Sequence, residues 1–142
     1  MKHTPQSIEQ FLRAFESTGN PDEAASQASQ FAETFLVAGP DGSRAIRASD
    51  FALALPRRRK MFEEWGLRAT RLDSVSVTNL NERYAMAEAR WSMTFAYGEG
   101  KLSDVSLGST YLLDTKDELK ILFYLSHQEI SAVLRERGIL QS

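Results

Sequence analysis

From Leu67 to Leu125 the chain contains no proline, and most of it alternates between apolar and polar residues. A proline cannot donate to a hydrogen-bond ladder, so a long proline-free alternating stretch is free to form central strands. Four strands are predicted, over Arg68–Thr78, Glu82–Tyr97, Leu102–Leu113 and Leu119–Leu125. The connections are Asn79-Leu80-Asn81, Gly98-Glu99-Gly100 and Thr115-Lys116-Asp117, each short enough for a hairpin. The longest strand puts Ala85, Ala87, Ala89, Trp91, Met93 and Phe95 on one face, and Glu88, Arg90, Ser92 and Thr94 on the other. One face is therefore buried and the other polar. A run of alanines on the buried face suits a strongly curved sheet.

The first half carries helix signals. Thr4 before Pro5 reads as a cap and first turn. Ile8, Phe11, Leu12 and Phe15 follow at helical spacing. Gly19 is the expected stop, and Asn20-Pro21 with Glu23 the expected restart. Thr34–Ala38 predicts a short buried strand, Gly39-Pro40-Asp41-Gly42 a turn, and Ser43–Arg47 a second short strand. Ser49 and Asp50 are expected to cap a helical segment that Pro56 breaks, with a further segment to Trp65 and a stop at Gly66. Ser126 and Glu129 have the spacing of a capping box for a last helix ending at Gly138.

At 142 residues the chain has the size of one domain with a single core, and residues 1–142 are read as such. A net charge of −2 argues against nucleic acid as a partner. Without cysteine, no disulfide, thiolate metal site or cysteine nucleophile is available. The first residues show no apolar run with a small-residue cleavage site, and no apolar stretch is long enough to span a bilayer. A cytoplasmic location without membrane contact is expected. No His-x-His, phosphate loop, dinucleotide fingerprint or Gly-x-Ser-x-Gly elbow occurs, so neither a metal nor a cofactor is expected.

Helices first, then a meander, then one short helix resembles the NTF2-like superfamily, which includes the SnoaL-like polyketide cyclases and the ketosteroid isomerases. The resemblance is carried by the segment Phe11–Gly42, with its Gly-Asn-Pro-Asp link, Phe31-Ala32-Glu33 and the Pro40-Asp41-Gly42 turn, and by the tail Tyr111–Ile130. It implies an α+β, cystatin-like cone. Amino-terminal helices would pack in a strongly curved antiparallel sheet, followed by a short carboxy-terminal helix. It also implies a homodimer through the outer face of the sheet, where Glu88 and Arg90 would pair across subunits or face solvent.

The isomerase branch places a tyrosine donor on the first helix, an aspartate base before the proline of the turn, and a protonated aspartic acid on the penultimate strand. By the resemblance these positions are Phe15, Gly39 and Ser109. Phe15 has no hydroxyl and Gly39 no side chain, so the acid-base pair of that branch is missing, and no catalytic residue is assigned.

The residues expected at a ligand cavity are Phe15, Phe35, Trp65, Trp91, Ser109, Tyr111 and His127. Each aromatic either lines a cavity or fills the core. His127, at the expected start of the last helix, is either a base at a pocket mouth or a packing histidine. The run Arg57-Arg58-Arg59-Lys60 fans around a helix, with Glu63 and Glu64 one turn on, and reads as a solvated face, with a phosphate or nucleic-acid site as the alternative. The expected function is binding of a small apolar organic molecule in the cone. The alternatives are a SnoaL-like cyclase, isomerase or dehydratase using another acid-base pair, with His127 or Asp104 as base and Ser109 as donor, and a structural or protein-interaction dimer.

Overall fold

A computed structural model of the chain describes residues 3–16 and 23–140. Its elements are α1 (Pro5–Leu12) with a 3-10 turn (Arg13–Phe15), α2 (Glu23–Ala28), β1 (Phe31–Gly39), β2 (Gly42–Arg47), α3 (Ala48–Glu64), β3 (Leu67–Asn79), β4 (Tyr84–Tyr97), β5 (Lys101–Asp114), β6 (Lys120–Ser126) and α4 (Ile130–Glu136). The stop expected at Gly19 and the restart at Asn20-Pro21 lie outside the described residues.

The six strands form one sheet in the order β2-β1-β6-β5-β4-β3. All described pairings are antiparallel except β1 with β6, which is parallel. Residue pairs on the meander follow the alternation in the sequence: Ala89 opposes Ser109 and Trp91 opposes Leu107 on one face, Arg90 opposes Gly108 and Ser92 opposes Ser106 on the other. The β1–β2 turn is Pro40-Asp41, with proline at the position whose fixed φ suits a turn. Gly98 and Gly100 take positive φ in the three-residue β4–β5 turn, a conformation that costs glycine little.

Register shifts in β3, at Leu67/Ala69 and Leu72/Ser74, and in β6, where Leu122 is the extra residue opposite Leu112/Leu113, add twist and bend the sheet. The shift after Leu72 is held from the helical layer. The Glu16 carboxylate accepts from the Leu72 N–H at 2.7 Å and from Arg13 Nη1 at 3.1 Å. The concave face receives α1: Ile8 and Leu12 are fully buried and share one apolar cluster with Ala85, Ala87, Ala89, Trp91, Tyr111, Phe31 and Phe35. The small alanine side chains leave the depth that a helix lying on a strand requires. Thr4 caps this helix as expected, accepting from Ser7 N–H at 3.1 Å, and Ser7 returns the bond to Thr4 N–H.

A second apolar cluster lies further along the same concave face, formed by Phe62, Met93, Phe95, Val105, Leu107 and Leu134, with Trp65, Ile130 and Val133 against it. Helix α3 bridges the two clusters, since Phe51 packs on the first and Phe62 belongs to the second. This corrects the expected break at Pro56: α3 runs from Ala48 to Glu64 with Pro56 inside it. An interior proline costs a helix about 3 kcal/mol, and apolar anchors on both sides of Pro56 offset that cost. The helix begins at Ala48, without the side-chain cap expected of Ser49 and Asp50. Nor does Ser126 form a capping box with Glu129. It is still the last residue of β6, paired with Ser109, and its hydroxyl donates to the Gln128 carbonyl at 2.8 Å.

At the opposite end of the meander, Arg83 holds Asp114 with Nη2 to Oδ2 at 2.9 Å and Nε to Oδ1 at 3.2 Å. This pair, with the Lys116 N–H, keeps the Asp114 carboxyl below its ordinary range. Among the described residues, no helix is long and apolar enough to cross a membrane.

Candidate functional site

A cleft of about 510 Å³ opens where the two apolar clusters meet. The β1–β2 hairpin supplies Val37 to Arg44. The last turns of α3 supply Arg58, Met61, Phe62 and Trp65, and the β6–α4 junction supplies Tyr124, Ser126 and Gln128 to Ser131. The volume lies within the range of small-molecule sites, about 300–1,000 Å³. The α3 residues recur at i, i+3, i+4 and i+7, so a single helix face builds that wall. Along it the Arg58 guanidinium carbon sits 4.9 Å from the centroid of the Phe62 ring, and Trp65 meets the same ring edge-on at 5.4 Å.

Tyr124 forms part of the cleft lining, and behind it the aromatic packing continues inward. Tyr124 and Tyr111 stack with centroids 5.2 Å apart and planes 8° from parallel. On another side Phe15 stacks on Tyr111 at 6.4 Å. The Tyr111 hydroxyl ends a hydrogen-bonded chain on the concave face. Trp91 Nε1 donates to Ser109 Oγ at 2.8 Å, and Ser109 Oγ donates to the Tyr111 hydroxyl at 3.0 Å. Burial pushes the Tyr111 hydroxyl far above its ordinary value, and the neighbouring Tyr124 adds to the rise. The bonds from Ser109 and Trp91, and the positive charge of Arg58, act in the opposite direction.

Of the seven residues expected at a cavity, Trp65 lines this cleft. Phe35, Trp91, Ser109 and Tyr111 are buried behind it, and Phe15 packs against the same cluster. Ser109 is 4% exposed and its oxygen is committed in both directions. His127 is exposed beside the outer face, where its Nε2 lies 2.7 Å from Thr110 Oγ1. The structure therefore brings Ser109, Tyr111 and Trp91 together, with Phe15 against Tyr111, and sets His127 apart from them. Gly39, which the resemblance sets at the position of the isomerase base, is a cleft-lining residue with no side chain to contribute.

Sequence reasoning took Arg58 for part of a solvated helix face and passed over Phe62, Tyr124 and Gln128. The signal for the first two was present: Arg58, Phe62 and Trp65 share a helix face only if the helix continues past Pro56. Tyr124 alternates with Phe123 and Leu125 on a strand that is apolar on both faces and partly buried throughout, so its pattern does not tell a lining residue from a core one. Among the described residues no cluster of histidine and carboxylate side chains could hold a metal ion.

The outer face of β3, β4 and β5 is polar and internally hydrogen-bonded. Arg90 Nη2 donates to Ser106 Oγ at 2.9 Å, Thr94 Oγ1 to Asp104 Oδ1 at 2.5 Å, and Ser92 to Asp73. The Ser92 bond, with Arg71, holds the Asp73 carboxyl below its ordinary range.

The fold on which this cleft sits can be compared with that of known proteins. Residues 3–129 match the family model described as NTF2-like protein (DUF6841). The chain belongs to this NTF2-like family. Solved structures agree with the NTF2-like fold. An NTF2-like protein of unknown function from Shewanella oneidensis matches with a TM-score of 0.67 at 16% identity, covering 88% of this chain and 100% of its own. An NTF2-like protein with a cystatin-like fold from Novosphingobium aromaticivorans matches with 0.69 at 14% identity, over 96% of this chain and 88% of its own. A protein of unknown function with a cystatin-like fold from Nostoc punctiforme matches with 0.66 at 13% identity, over 92% and 97%. A search of curated proteins finds no match. At these identities the NTF2-like fold is shared, and the chemistry of the cleft has to be argued from its own residues.

Proposed function

We propose that this NTF2-like chain is a cytoplasmic, homodimeric binding module whose cleft takes a small, largely apolar organic molecule. The observation that carries the reading is the composition of the cleft. Val37, Met61, Phe62, Trp65, Tyr124 and Ile130 supply apolar and aromatic surface, with a few polar groups around them. Acid-base catalysis is the weaker reading. The nearest buried hydroxyls, Ser109 and Tyr111, are engaged with each other, and burial disfavours ionisation of Tyr111.

The expected result is saturable binding of the neutral fluorophore N-phenyl-1-naphthylamine at one site per chain. Trp65→Ala should weaken it about tenfold, since loss of an aromatic wall removes on the order of 1.4 kcal/mol or more of contact. Fluorescence titration, with circular dichroism to confirm folding of the variant, measures both. Absence of saturable binding to the wild-type protein would refute the reading.

The outer face supports the dimer proposal. It is polar and pre-ordered by internal hydrogen bonds, and Glu88 and Arg90 are neighbours two residues apart on β4, so a two-fold axis between them would set each guanidinium against a carboxylate of the other copy. Sedimentation velocity at tens of micromolar is expected to give twice the chain mass, and Arg90→Glu to give one chain. A wild-type protein that sediments as a monomer contradicts the dimer.

A further inference from the structure

We propose that the ligand of the cleft is a small aromatic monocarboxylate, with its carboxylate on the Arg58 guanidinium and its flat body against Trp65 and Tyr124. The inference rests on the reading of the cleft as a ligand site and adds the chemical class of what fills it.

Arg58 is the residue that sets the class. It lies on the helix face that walls the cleft, with its guanidinium over Phe62, a ring only 8% exposed. A guanidinium held on an aromatic face keeps its in-plane N–H groups directed outward, in the fork that matches a carboxylate. Arg58 is itself exposed at the rim of the cleft, and the next residue, Arg59, is half-buried and pairs with Glu63 at 3.4 Å. Among the described residues no carboxylate lies within ion-pairing distance of Arg58. A cation that borders an aromatic cleft and has no internal counter-ion is matched by an anionic group on a ligand.

Gln128 supplies the second donor. Its Oε1 accepts the Gly108 backbone N–H at 2.9 Å, and because that partner is a donor, the orientation of the amide is settled. The remaining group of Gln128 is therefore its NH₂. Ser126, beside it, already donates its hydroxyl to the Gln128 carbonyl. The polar side of the cleft thus offers a cation and an amide donor to a ligand acceptor.

The number of negative charges follows from the other ionisable lining groups. Arg44 and Arg58 are balanced formally by Asp41 and Glu129, so the lining has no excess positive charge for a dianion such as a phosphate ester. Glu129 is occupied by the Ser131 hydroxyl, and Asp41 lies in the β1–β2 turn. A monoanion on Arg58 needs neither of them to move. The body of the ligand is set by the aromatic surfaces: two rings, Trp65 and Tyr124, in a space of about 510 Å³, suit one or two fused rings rather than a long chain.

The test compares 2-naphthoate with 2-naphthamide, which share shape and differ in charge. Binding is followed by the indole N–H signals of the two tryptophans in ¹H–¹⁵N spectra. Trp65 faces the cleft, whereas Trp91 is buried with its N–H bonded to Ser109 and serves as the internal reference. The expected result is that naphthoate binds the wild-type protein at least about tenfold more tightly than the amide, and that added salt weakens only the acid. Arg58→Gln should weaken the acid by at least about tenfold and the amide by much less, so that the two bind alike, with Arg58→Lys in between. Equal binding of acid and amide to the wild-type protein, or a preference for the acid that survives Arg58→Gln, overturns the carboxylate inference and leaves the cleft reading standing. If neither compound moves the Trp65 signal, and N-phenyl-1-naphthylamine also fails to bind, both are overturned. The wild-type comparison and its salt dependence decide the point even if a variant does not fold.

Discussion

Gly66→Ala is expected to destabilise the protein by at least about 3 kcal/mol. Gly66 ends α3 and turns the chain into β3 with φ +100°, a region L-residues rarely enter. Its carbonyl accepts the Ala96 N–H at 2.7 Å, which ties the turn to β4. A methyl group at Gly66 would lie 2.1 Å from the Ala96 carbonyl oxygen. That oxygen is backbone, fixed in the sheet, so the clash is relieved only by moving the turn and stretching the Gly66–Ala96 bond. The backbone strain and the overlap add. Gly100→Ala is the control: φ is +71° there and no atom lies within 4 Å of the added methyl, so only the strain is incurred, about 1–2 kcal/mol. Chemical denaturation of the two variants should separate them by at least about 1 kcal/mol. Equal losses would mean that the Ala96 contact does not constrain the turn. Because Trp65 precedes Gly66, the same substitution is expected to disturb the cleft.

The second large effect is expected at Phe95. Its ring is fully buried in the second apolar cluster, on the face that also carries Met93, Val105 and Leu107. Truncation to alanine should cost about 3–5 kcal/mol, through lost burial and the cavity left behind. Phe15→Ala should cost less. Phe15 is half-buried, with one edge contact to Phe31 at 5.8 Å and one stacking contact to Tyr111. The ordering is measurable by urea unfolding, and a Phe95→Ala loss smaller than the Phe15→Ala loss would contradict the existence of a second core. Leu134 of α4 belongs to the Phe95 cluster. Faster amide exchange in α4 of the Phe95→Ala variant is therefore the expected local signature.

How much was legible in the residues depends on how far apart the interacting parts lie. The four strands of the meander could be read directly, because the period of two is a property of adjacent residues. Their ends shifted only slightly, with β3 starting at Leu67 and β4 at Tyr84. The turn at Pro40-Asp41 and the cap at Thr4 were legible for the same reason. Pro56 was not: its local signal is a break, and the helix persists because Phe51 packs on one cluster and Phe62 is buried in the other, on either side of it. The Ser126/Glu129 spacing matched a capping box, but the sheet kept Ser126 as a strand residue.

The candidate site was less legible than the fold. A buried aromatic and a lining aromatic have the same place in the alternation, so Trp91 and Tyr111 could not be told from Trp65 by pattern. Arg58 looked like one more charge on a solvated helix, because its position over Phe62 depends on helix continuity through Pro56. Gln128 has no pattern at all, and its role is defined by a bond to the Gly108 N–H across the β5–β6 edge.

By itself, the order of residues determined which segments are the meander strands and which of their faces turn inward. Only the tertiary structure decided the parallel pairing of β1 with β6 and the division of the concave face into two clusters. It also decided the cleft between them, assembled from residues 37–44, 58–65 and 124–131. The reason is physical. Periodicity and capping are energies between near neighbours in the chain, whereas a cleft is the space left when distant surfaces meet and fail to fill it.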